Sequence, residues 1–450
     1  MRLYNTLSRS IEDFKPLLGH KVGLYCCGPT VYDFTHVGHL RKYTMDDVLK
    51  RTLKYFGFEV KHVMNITDVG HLSDDADSGE DKMEKGAKKY GKTVWEVADM
   101  YTDFFKRSMQ LMGVMSPDVT SKATEHIQGM IEMIKILTSK RYTYETSEAV
   151  YFDTTKFATY EALSGQKQED KQKAVRTEVV DDQNKKNPAD FSLWFKRVGK
   201  FADHAMYWSS PWGDGFPGWH IECSAMSRQY LGDQIDIHTG GIDHIPVHHT
   251  NEIAQSEAAT GKHPFVKYWV HHNMLMVEGT KMSKSLGNFL TIDDIVNKGY
   301  DPMALRLLFL QTHYRSEMNF TWAALDAAQT AYTRMVERLT HEGIVDVQLD
   351  TQFKAALKND LDTPVALSIL MSTKNHEQAS RFAHVLGLEL KPIQKASVEV
   401  PSEISVLAEK RNDAKKAKDF KMADALRVQI ESKGYKVLDN KDGTYKVVHV

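Results

Sequence analysis

Cysteine is scarce in this sequence, and long apolar runs are missing from it. Only three cysteines occur, Cys26, Cys27 and Cys223, and so small and odd a number argues against a disulfide framework and for a reducing compartment. No stretch is apolar enough to span a bilayer, so we expect a cytoplasmic protein with no membrane partner. The net charge is only −2, so the composition neither indicates nor excludes binding to nucleic acid.

The sequence does contain the pattern of repeated α/β units. Residues 22–25 predict a strand, apolar residues at near-helical spacing over 40–56 predict a helix, and residues 60–64 predict a second strand. A later stretch predicts a strand at 234–238 and a helix at 251–260. Such units build doubly wound parallel sheets, which bind ligands at the carboxyl ends of their strands.

The remaining segments differ in character. Residues 70–93 are charge-dense, and we interpret them as a mobile surface excursion that is helical in its second half. An insertion is expected from about 118 to 202, with strand character at 142–152 and a polar linker at 166–187. Trp322 to about Gly387 predicts a helical bundle, and Asp442-Gly443 is a hairpin turn signal near the end of the chain.

The first motif that carries chemistry is His36-Val37-Gly38-His39, at the junction of the first predicted loop and helix. A helix start presents free backbone N–H groups to phosphate, and Gly38 lets a nucleotide approach the backbone. His36 and His39 can donate hydrogen bonds as charge builds on the α-phosphate. Alone, however, so short a motif is more often structural than functional.

The second motif is Lys281-Met282-Ser283-Lys284-Ser285, a loop with two lysines that can close over departing pyrophosphate. Most lysine-rich loops are simply exposed to solvent. Here, however, a phosphate-site motif occurs early in the same chain, and the two motifs together favour a role for this loop in nucleotide chemistry. Together the motifs resemble those of the class I aminoacyl-tRNA synthetases. The resemblance implies a Rossmann-like catalytic domain split by an insertion, with His36, His39, Lys281 and Lys284 stabilising the transition state of amino-acid adenylation.

A third group consists of Cys27, Cys223, His248 and Glu252, whose side chains are all acceptable zinc ligands. His248 and Glu252 are spaced to share one face of a helix. A lone cysteine is nevertheless usually a buried apolar residue, and an isolated His-x-x-x-Glu pair is usually exposed. Because no Cys-x-x-Cys spacing is present, the residues alone leave a metal site open.

The cysteinyl-tRNA synthetase family is similar to this chain over residues 25–41, 208–226, 236–255 and 280–289. The family's segments at 65–69, 359–364 and 418–444 are matched as well. The resemblance implies one zinc ion, held by Cys27, Cys223, His248 and Glu252, that selects the substrate thiol. It also implies ATP contacts by Gly38, Gly241, Asp243 and Lys284, and a Trp219 ring packed over the cysteine side chain.

The implied reaction activates L-cysteine with Mg²⁺-bound ATP and transfers it to the terminal adenosine of cysteine tRNA, and we expect a monomer. The implied parts are catalytic halves at 1–118 and 203–263, an insertion at 119–202 and a stem-contact region at 264–320. A helical bundle at 321–395 and a small α+β anticodon-recognition domain at 396–450 follow. The last part carries a run of basic residues, namely Lys410, Arg411, Lys415, Lys416, Lys418, Lys421 and Arg427.

Several positions depart from the family pattern: Val37, Phe216, Tyr445 and the segment 243–247. None of them removes a zinc ligand or a signature lysine. Three alternatives stay open. A ligase joining cysteine to a thiol-sugar precursor would need no tRNA-binding segment, so the segment after residue 401 argues against it. A catalytically silent RNA-binding paralogue is disfavoured because the zinc ligands and the signature lysines are all present. A small adenylyltransferase is disfavoured by the chain length and by Cys223.

Overall fold

The structure, a computed structural model, describes residues 1–70, 82–165, 184–283, 287–338, 344–390, 402–417, 419–433, 435–439 and 445–449. These form two compact units, Met1–Leu390 and Lys391–Val450. Some predicted features lie outside the described residues: the first part of the charged excursion, most of the polar linker, Lys284, Lys418 and the Asp442-Gly443 turn. Within the described residues, no helix combines the length and the apolar character needed to cross a bilayer.

The first unit opens with two short strands and then forms the predicted βαβ unit. The elements are β1 (Arg2–Asn5), β2 (Ser10–Asp13), β3 (Lys21–Cys26), helix α1 (Val37–Tyr55) and β4 (Glu59–Ile66). Next come α2 (Lys82–Tyr90), α3 (Val94–Leu111), β5 (Val119–Lys122) and α4 (Ile127–Ser139). Helix α2 supplies the helical second half that the sequence predicts for the charged excursion.

A separate antiparallel sheet then precedes the return to the parallel one. Its strands, adjacent in chain order, are β6 (Thr143–Glu145), β7 (Ala149–Phe152), β8 (Phe191–Lys196) and β9 (Gly215–Pro217). The chain continues through α5 (Trp219–Leu231), β10 (Ile235–Gly241), α6 (Thr250–Thr260) and β11 (Val266–His272). A π-helical turn at Ile245–His249 leads directly into α6.

The central sheet is parallel throughout, and its strand order is β11-β10-β3-β4-β5. Strand β5 pairs with β4 although the sequence assigns its residues to the insertion, so the sheet extends one strand past the boundary expected at residue 118. The strand order reverses between β3 and β10. Because open α/β sheets bind ligands outside the strand ends at such a point, the site is expected beyond Cys26 and Gly241.

A smaller sheet, ordered β13-β12-β14, and four longer helices complete the first unit. The elements are β12 (Leu275–Val277), β13 (Thr280–Lys281), α7 (Ile292–Asn297), α8 (Pro302–Leu310) and β14 (Met318–Phe320). The helices are α9 (Trp322–Arg338), α10 (Val347–Lys358), α11 (Thr363–Ser372) and α12 (His376–Leu386). Helices α7 and α8 begin after the N-caps Thr291 and Asp301, whose side chains accept the N–H groups of Asp294 and Met303.

The second unit has the predicted α+β composition. It consists of α13 (Ser402–Lys416), α14 (Phe420–Ser432) and the antiparallel strands β15 (Tyr435–Asp439) and β16 (Tyr445–His449). Its core contains Ile404, Ala408, Ile430 and Val437. Arg411, one of the basic residues in the run, is buried at 6% exposure.

A buried arginine holds the start of α1 in place. Arg41 is 2% exposed, and its guanidinium donates to the carbonyl oxygens of Asn273 at 2.8 Å, Met274 at 3.1 Å, His313 at 3.1 Å and Ser316 at 2.7 Å. A guanidinium has five N–H donors in a rigid plane, which suits several carbonyls at once. The helix that carries the first motif is therefore tied to the segments flanking β12 and β14.

Candidate active site

Two thiols, an imidazole and a carboxylate meet where the strand order reverses. Cys27 follows β3, and its N–H donates to the Thr239 carbonyl at 3.1 Å. Cys223 lies in α5, His248 in the π-helical turn and Glu252 in the first turn of α6. All four side chains are buried, and their ligand atoms lie within 4.8 Å of one another. The structure therefore brings together all four of the expected metal ligands.

The donor set fits a soft divalent cation. Glu252 is completely buried, and its Oε1 lies 3.1 Å from His248 Nε2, close enough for an ion pair. A bound cation would replace the His248 proton beside this buried carboxylate. Two sulfurs, one imidazole nitrogen and one carboxylate oxygen form a set that suits zinc.

The cluster carries opposite charges at neutral pH. Burial raises the pKa of the Cys27 thiol, but the hydrogen bond with Cys223 and the nearby His249 lower that pKa well below its ordinary value. The same hydrogen bond, together with burial, raises the pKa of Cys223. Burial lowers the pKa of His248, but Glu252 raises it to about 10 overall. A cation entering the cluster would therefore displace protons from His248 and Cys223.

Trp219 lies directly beside this cluster. It is the first residue of α5, and its ring centroid is 4.1 Å from that of His248, with the planes tilted by 32°. The Trp219 ring is therefore in contact with the imidazole of one of the expected metal ligands.

The backbone N–H groups of the motif His36-Val37-Gly38-His39 are not free, as the sequence had predicted, but are hydrogen-bonded within the protein. His36 Nδ1 accepts the backbone N–H groups of Gly38 at 3.1 Å and of His39 at 3.3 Å. His39 Nδ1 accepts the N–H of His36 at 3.4 Å, and the Val37 N–H donates to the Leu290 carbonyl at 2.9 Å. The prediction of free backbone N–H groups at this helix start is therefore wrong, because the protein itself satisfies them.

The two imidazoles remain as donors. Because each Nδ1 accepts a hydrogen bond, each ring carries its proton on Nε2. The rings stack with centroids 3.6 Å apart and planes 17° from parallel, and burial lowers the pKa of His36 to about 4. At neutral pH, His36 is therefore uncharged and offers one N–H from Nε2, as the role in phosphate binding requires.

The lysine loop packs against this motif. A Cβ atom on Gly38 would lie 2.9 Å from Met282 Cε and 3.0 Å from His36 Cε1, so Gly38 makes room for a residue of the second motif as well as for any nucleotide. Asn288 Oδ1 accepts the Ser283 N–H at 2.8 Å. Lys281 is exposed, whereas the placement of Lys284 lies outside the described residues.

The expected adenosine contacts lie at the carboxyl end of β10. Gly241 is the last residue of that strand, and a Cβ atom there would lie 2.1 Å from Asp243 Oδ1. Asp243 itself is exposed. Both positions adjoin the point where the strand order reverses, which is where a nucleotide binds in open α/β sheets.

The comparisons with known proteins agree with this geometry. A family model described as the tRNA synthetases class I (C) catalytic domain matches residues 13–330. The cysteine–tRNA ligase of Treponema denticola is 42% identical, with 98% of each chain covered. Cysteine–tRNA ligase 1 of Burkholderia lata is 42% identical over 98% of this chain and 96% of that protein. This chain belongs to the cysteine–tRNA ligase family.

Solved structures of other synthetases share the fold of this ligase family member. A Mycobacterium tuberculosis methionyl-tRNA synthetase in complex with methionyl-adenylate aligns with a TM-score of 0.55 at 14% identity, covering 82% of this chain and 88% of that one. The LeuRS of Agrobacterium radiobacter K84 aligns with a TM-score of 0.58 at 14% identity, covering 84% and 86%. The predicted Rossmann-like fold is confirmed, and the protein is an aminoacyl-tRNA ligase.

Several histidines beside the ligand cluster are not apparent from the sequence. Cys27 and Glu252 also form a second possible ligand set with His238 and His249. His249 Nε2 lies 3.3 Å from Cys27 Sγ, and its Nδ1 lies 2.7 Å from Nε2 of His271. One signal was available: His238 lies in β10 and His271 near the end of β11, so adjacent parallel strands bring both near one edge of the sheet.

Proposed function

We propose that this protein activates L-cysteine with ATP and transfers it to the 3′-terminal adenosine of cysteine tRNA. The observation that carries the proposal is the buried convergence of Cys27, Cys223, His248 and Glu252 within 4.8 Å. Cysteine and serine differ by sulfur for oxygen, and pocket shape alone separates such close analogues poorly. A zinc ion in this cluster would supply a Lewis acid that prefers a thiolate to a hydroxyl.

The chain's own groups orient the amino acid between the cluster and the phosphate motif. Trp219 walls the space beside His248, and burial of the cluster keeps water away from the thiol. The substrate carboxylate then attacks the α-phosphate of Mg²⁺-bound ATP in line. We assign the Nε2–H groups of His36 and His39 to the phosphate oxygens whose charge grows in that step.

Departure of pyrophosphate is assigned to the lysine loop. Lys281 and Lys284 would follow the leaving group, while Met282 stays packed against Gly38. Gly38, Gly241, Asp243 and Lys284 are the proposed ATP contacts.

The other regions are assigned to transfer RNA. We propose that residues 264–320 contact the stem, that the bundle at 321–395 supports it and that residues 396–450 recognise the anticodon. In the described part of the last region, Lys410, Lys416, Lys421 and Arg427 are exposed. Exposed cations of this kind bind phosphates through charge.

The test is charging of a cysteine-tRNA transcript by the purified full chain with labelled cysteine and ATP. Parallel reactions contain labelled serine or a sample stripped of metal by a chelator. We expect charging with cysteine only, abolished by chelation and restored by zinc. Charging with serine at a similar rate, or undiminished charging after chelation, would refute the role of the cluster. Cysteine-dependent ATP–pyrophosphate exchange without charging would indicate a different acceptor.

A further inference from the structure

The peptide groups around Cys27 are held from three directions. The Cys27 N–H donates to the Thr239 carbonyl of β10 at 3.1 Å, and the next N–H, that of Gly28, donates to Asn65 Oδ1 at 2.8 Å. The Cys27 carbonyl accepts a hydrogen bond of 2.5 Å from the Lys42 ammonium. Among the described residues, Lys42 is the only group that donates to this carbonyl.

Lys42 reaches that carbonyl from the helix of the phosphate motif. It lies in α1, about one turn after His39, and its Nζ also lies 2.8 Å from Asp46 Oδ2. Asp46 Oδ1 in turn lies 2.8 Å from His272 Nε2 at the end of β11. The side chains of Lys42 and Asp46 are only 13% and 2% exposed, so solvent competes little with these contacts.

The ion pair persists at neutral pH. Burial alone would raise the pKa of Asp46, but Lys42 and His272 lower it well below the ordinary value. Burial alone would lower the pKa of Lys42, but Asp46 and the neighbouring Tyr43 raise it. A charged donor makes a stronger hydrogen bond to a buried carbonyl than a neutral one does.

We propose that Lys42 is a positioning residue that ties the metal-ligating Cys27 to the helix carrying His36 and His39. The inference rests on the proposed function, because it assumes that Cys27 binds a metal ion. If Lys42 served stability alone, its pair with Asp46 would suffice and the hydrogen bond to the Cys27 carbonyl would have no consequence. If it positions the ligand, removing it moves the sulfur relative to Cys223, His248 and Glu252.

The test compares zinc affinity and exchange kinetics in matched variants of the full chain. Lys42→Met removes the donor, whereas Lys54→Met changes an exposed lysine of the same helix and serves as the control. Zinc affinity is measured by competition with a chelating dye, and folding is checked by circular dichroism. Removing a group that orients a metal ligand typically weakens affinity about 10–100-fold. We expect a loss of that size for Lys42→Met and none for Lys54→Met.

A second readout separates positioning from stability. In ATP–pyrophosphate exchange, Lys42→Met should raise the KM for cysteine more than the KM for ATP, and Lys42→Arg should restore part of the zinc affinity. Because a lone Asp46 carboxylate would be left buried, the double variant Lys42→Met/Asp46→Asn is measured in parallel. If Lys42→Met does not fold but the double variant does, the zinc affinity and the exchange kinetics of the double variant are compared with those of the parent instead.

The outcomes distinguish this inference from the proposed function. Suppose that the parent binds zinc and exchanges pyrophosphate. A folded Lys42 variant whose zinc affinity is within about twofold of the parent's would then overturn the positioning role alone. That threshold lies far below the expected loss of about 10–100-fold. A parent that binds no zinc, or shows no cysteine-dependent exchange, would overturn the proposed function itself.

Discussion

His36 and His39 each serve the start of α1 in two ways. Their Nδ1 atoms accept backbone N–H groups and so cap the helix. Their Nε2–H groups remain as donors for phosphate. The structural and the proposed catalytic contributions therefore use different atoms of the same ring, and substitution can separate them.

The variant His36→Asn tests this separation. Asparagine is a good helix cap, so the helix should persist while the Nε2–H donor is removed. Removing one donor aimed at developing charge costs about 100–1,000-fold in kcat. We expect a fall of that size in the kcat of ATP–pyrophosphate exchange, with little change in the KM for cysteine. A kcat within about threefold of the parent, with normal folding by circular dichroism, would show that the ring has no such role.

At the residue scale, the sequence indicates which side chains can act as ligands or donors, but it does not show which of them lie close together. Cys27 and Cys223 are far apart in the chain, so spacing could not show that they meet, and the family resemblance supplied the pairing. His238 and His271 are not apparent from the sequence because a short buried strand does not reveal which side chains face the ligands. His249 lies in a π-helical turn, which the apolar pattern does not predict. The free N–H groups expected at the start of α1 were wrong, because histidine is not among the usual capping residues.

Helix α1, which carries the first motif, holds several buried charged side chains. Besides Arg41 and Lys42, it carries Asp47, whose Oδ2 accepts from Arg51 Nε at 2.7 Å and from Arg306 Nη2 at 2.5 Å. The side chains of Asp47 and Arg306 are fully buried. Arg306 also donates to the carbonyls of Met112 and Leu386, both at 2.9 Å. This arginine therefore joins α1 to the ends of α3 and α12.

Removing Arg306 should destabilise the first unit. Arg306→Met removes the buried partner of Asp47 and leaves the carbonyls of Met112 and Leu386 without this donor. Breaking a buried ion pair completely costs about 3–5 kcal/mol. Because Arg51 still pairs with Asp47, we expect a smaller loss that still lowers the urea midpoint clearly. The exposed pair between Arg107 and Asp293, at 2.7 Å, provides the control. Exposed pairs contribute at most about 1 kcal/mol, so Arg107→Met should change the midpoint little. Equal decreases in the two variants would contradict the importance of the buried site.

A buried histidine in β4 should make stability depend on pH. His62 is 2% exposed, and neither ring nitrogen has a hydrogen-bond partner among the described residues. Burial lowers its pKa to about 4, below the value of about 6.5 in an unfolded chain. The folded state therefore resists protonation, and stability should fall as pH decreases from about 6.5 to 4, by about 3 kcal/mol in total.

Urea unfolding between these pH values measures that decrease. The parent is compared with His62→Leu, which has similar volume and cannot titrate. We expect the variant to lose less stability than the parent over the same range, because other groups still titrate in both. Parallel pH profiles in the two proteins would show that His62 does not contribute.

At the element scale, the pattern of apolar residues predicts the βαβ unit and α6. It fails at β5, because Val119–Lys122 is a short edge strand with little apolar periodicity. It also finds only part of the insertion sheet, since β8 and β9 are separated from β6 and β7 by a polar segment. Pairing between distant segments cannot be deduced from local pattern alone.

At the scale of the whole molecule, adenylation and RNA recognition are expected to be separable. The central site lies in the unit Met1–Leu390, and the exposed basic residues of α13 and α14 lie in the unit Lys391–Val450. Each unit has its own buried apolar core. Changes to surface charge in the second unit should therefore affect transfer RNA without affecting amino-acid activation.

The double variant Lys410→Gln/Lys421→Gln tests that separation. Both lysines are exposed, and removing a cation that binds phosphate should weaken RNA binding and lower the slope of its salt dependence by about one per cation. We expect a higher KM for cysteine tRNA, with ATP–pyrophosphate exchange unchanged. Lys135→Gln on α4, at an exposed lysine paired with Glu132 at 2.9 Å, is the control. An unchanged KM for tRNA would exclude these two lysines from the RNA surface.

The central claim is that a metal ion held by Cys27 and its three partners selects cysteine, and two neighbouring cysteines test it most directly. Cys26 and Cys27 are both buried, but only Cys27 belongs to the ligand cluster. Zinc content and cysteine-dependent ATP–pyrophosphate exchange are measured for Cys26→Ser and Cys27→Ser. We expect Cys27→Ser to lose both zinc and exchange and Cys26→Ser to keep both. A zinc-free Cys27→Ser protein that still activates cysteine in preference to serine would contradict the central claim.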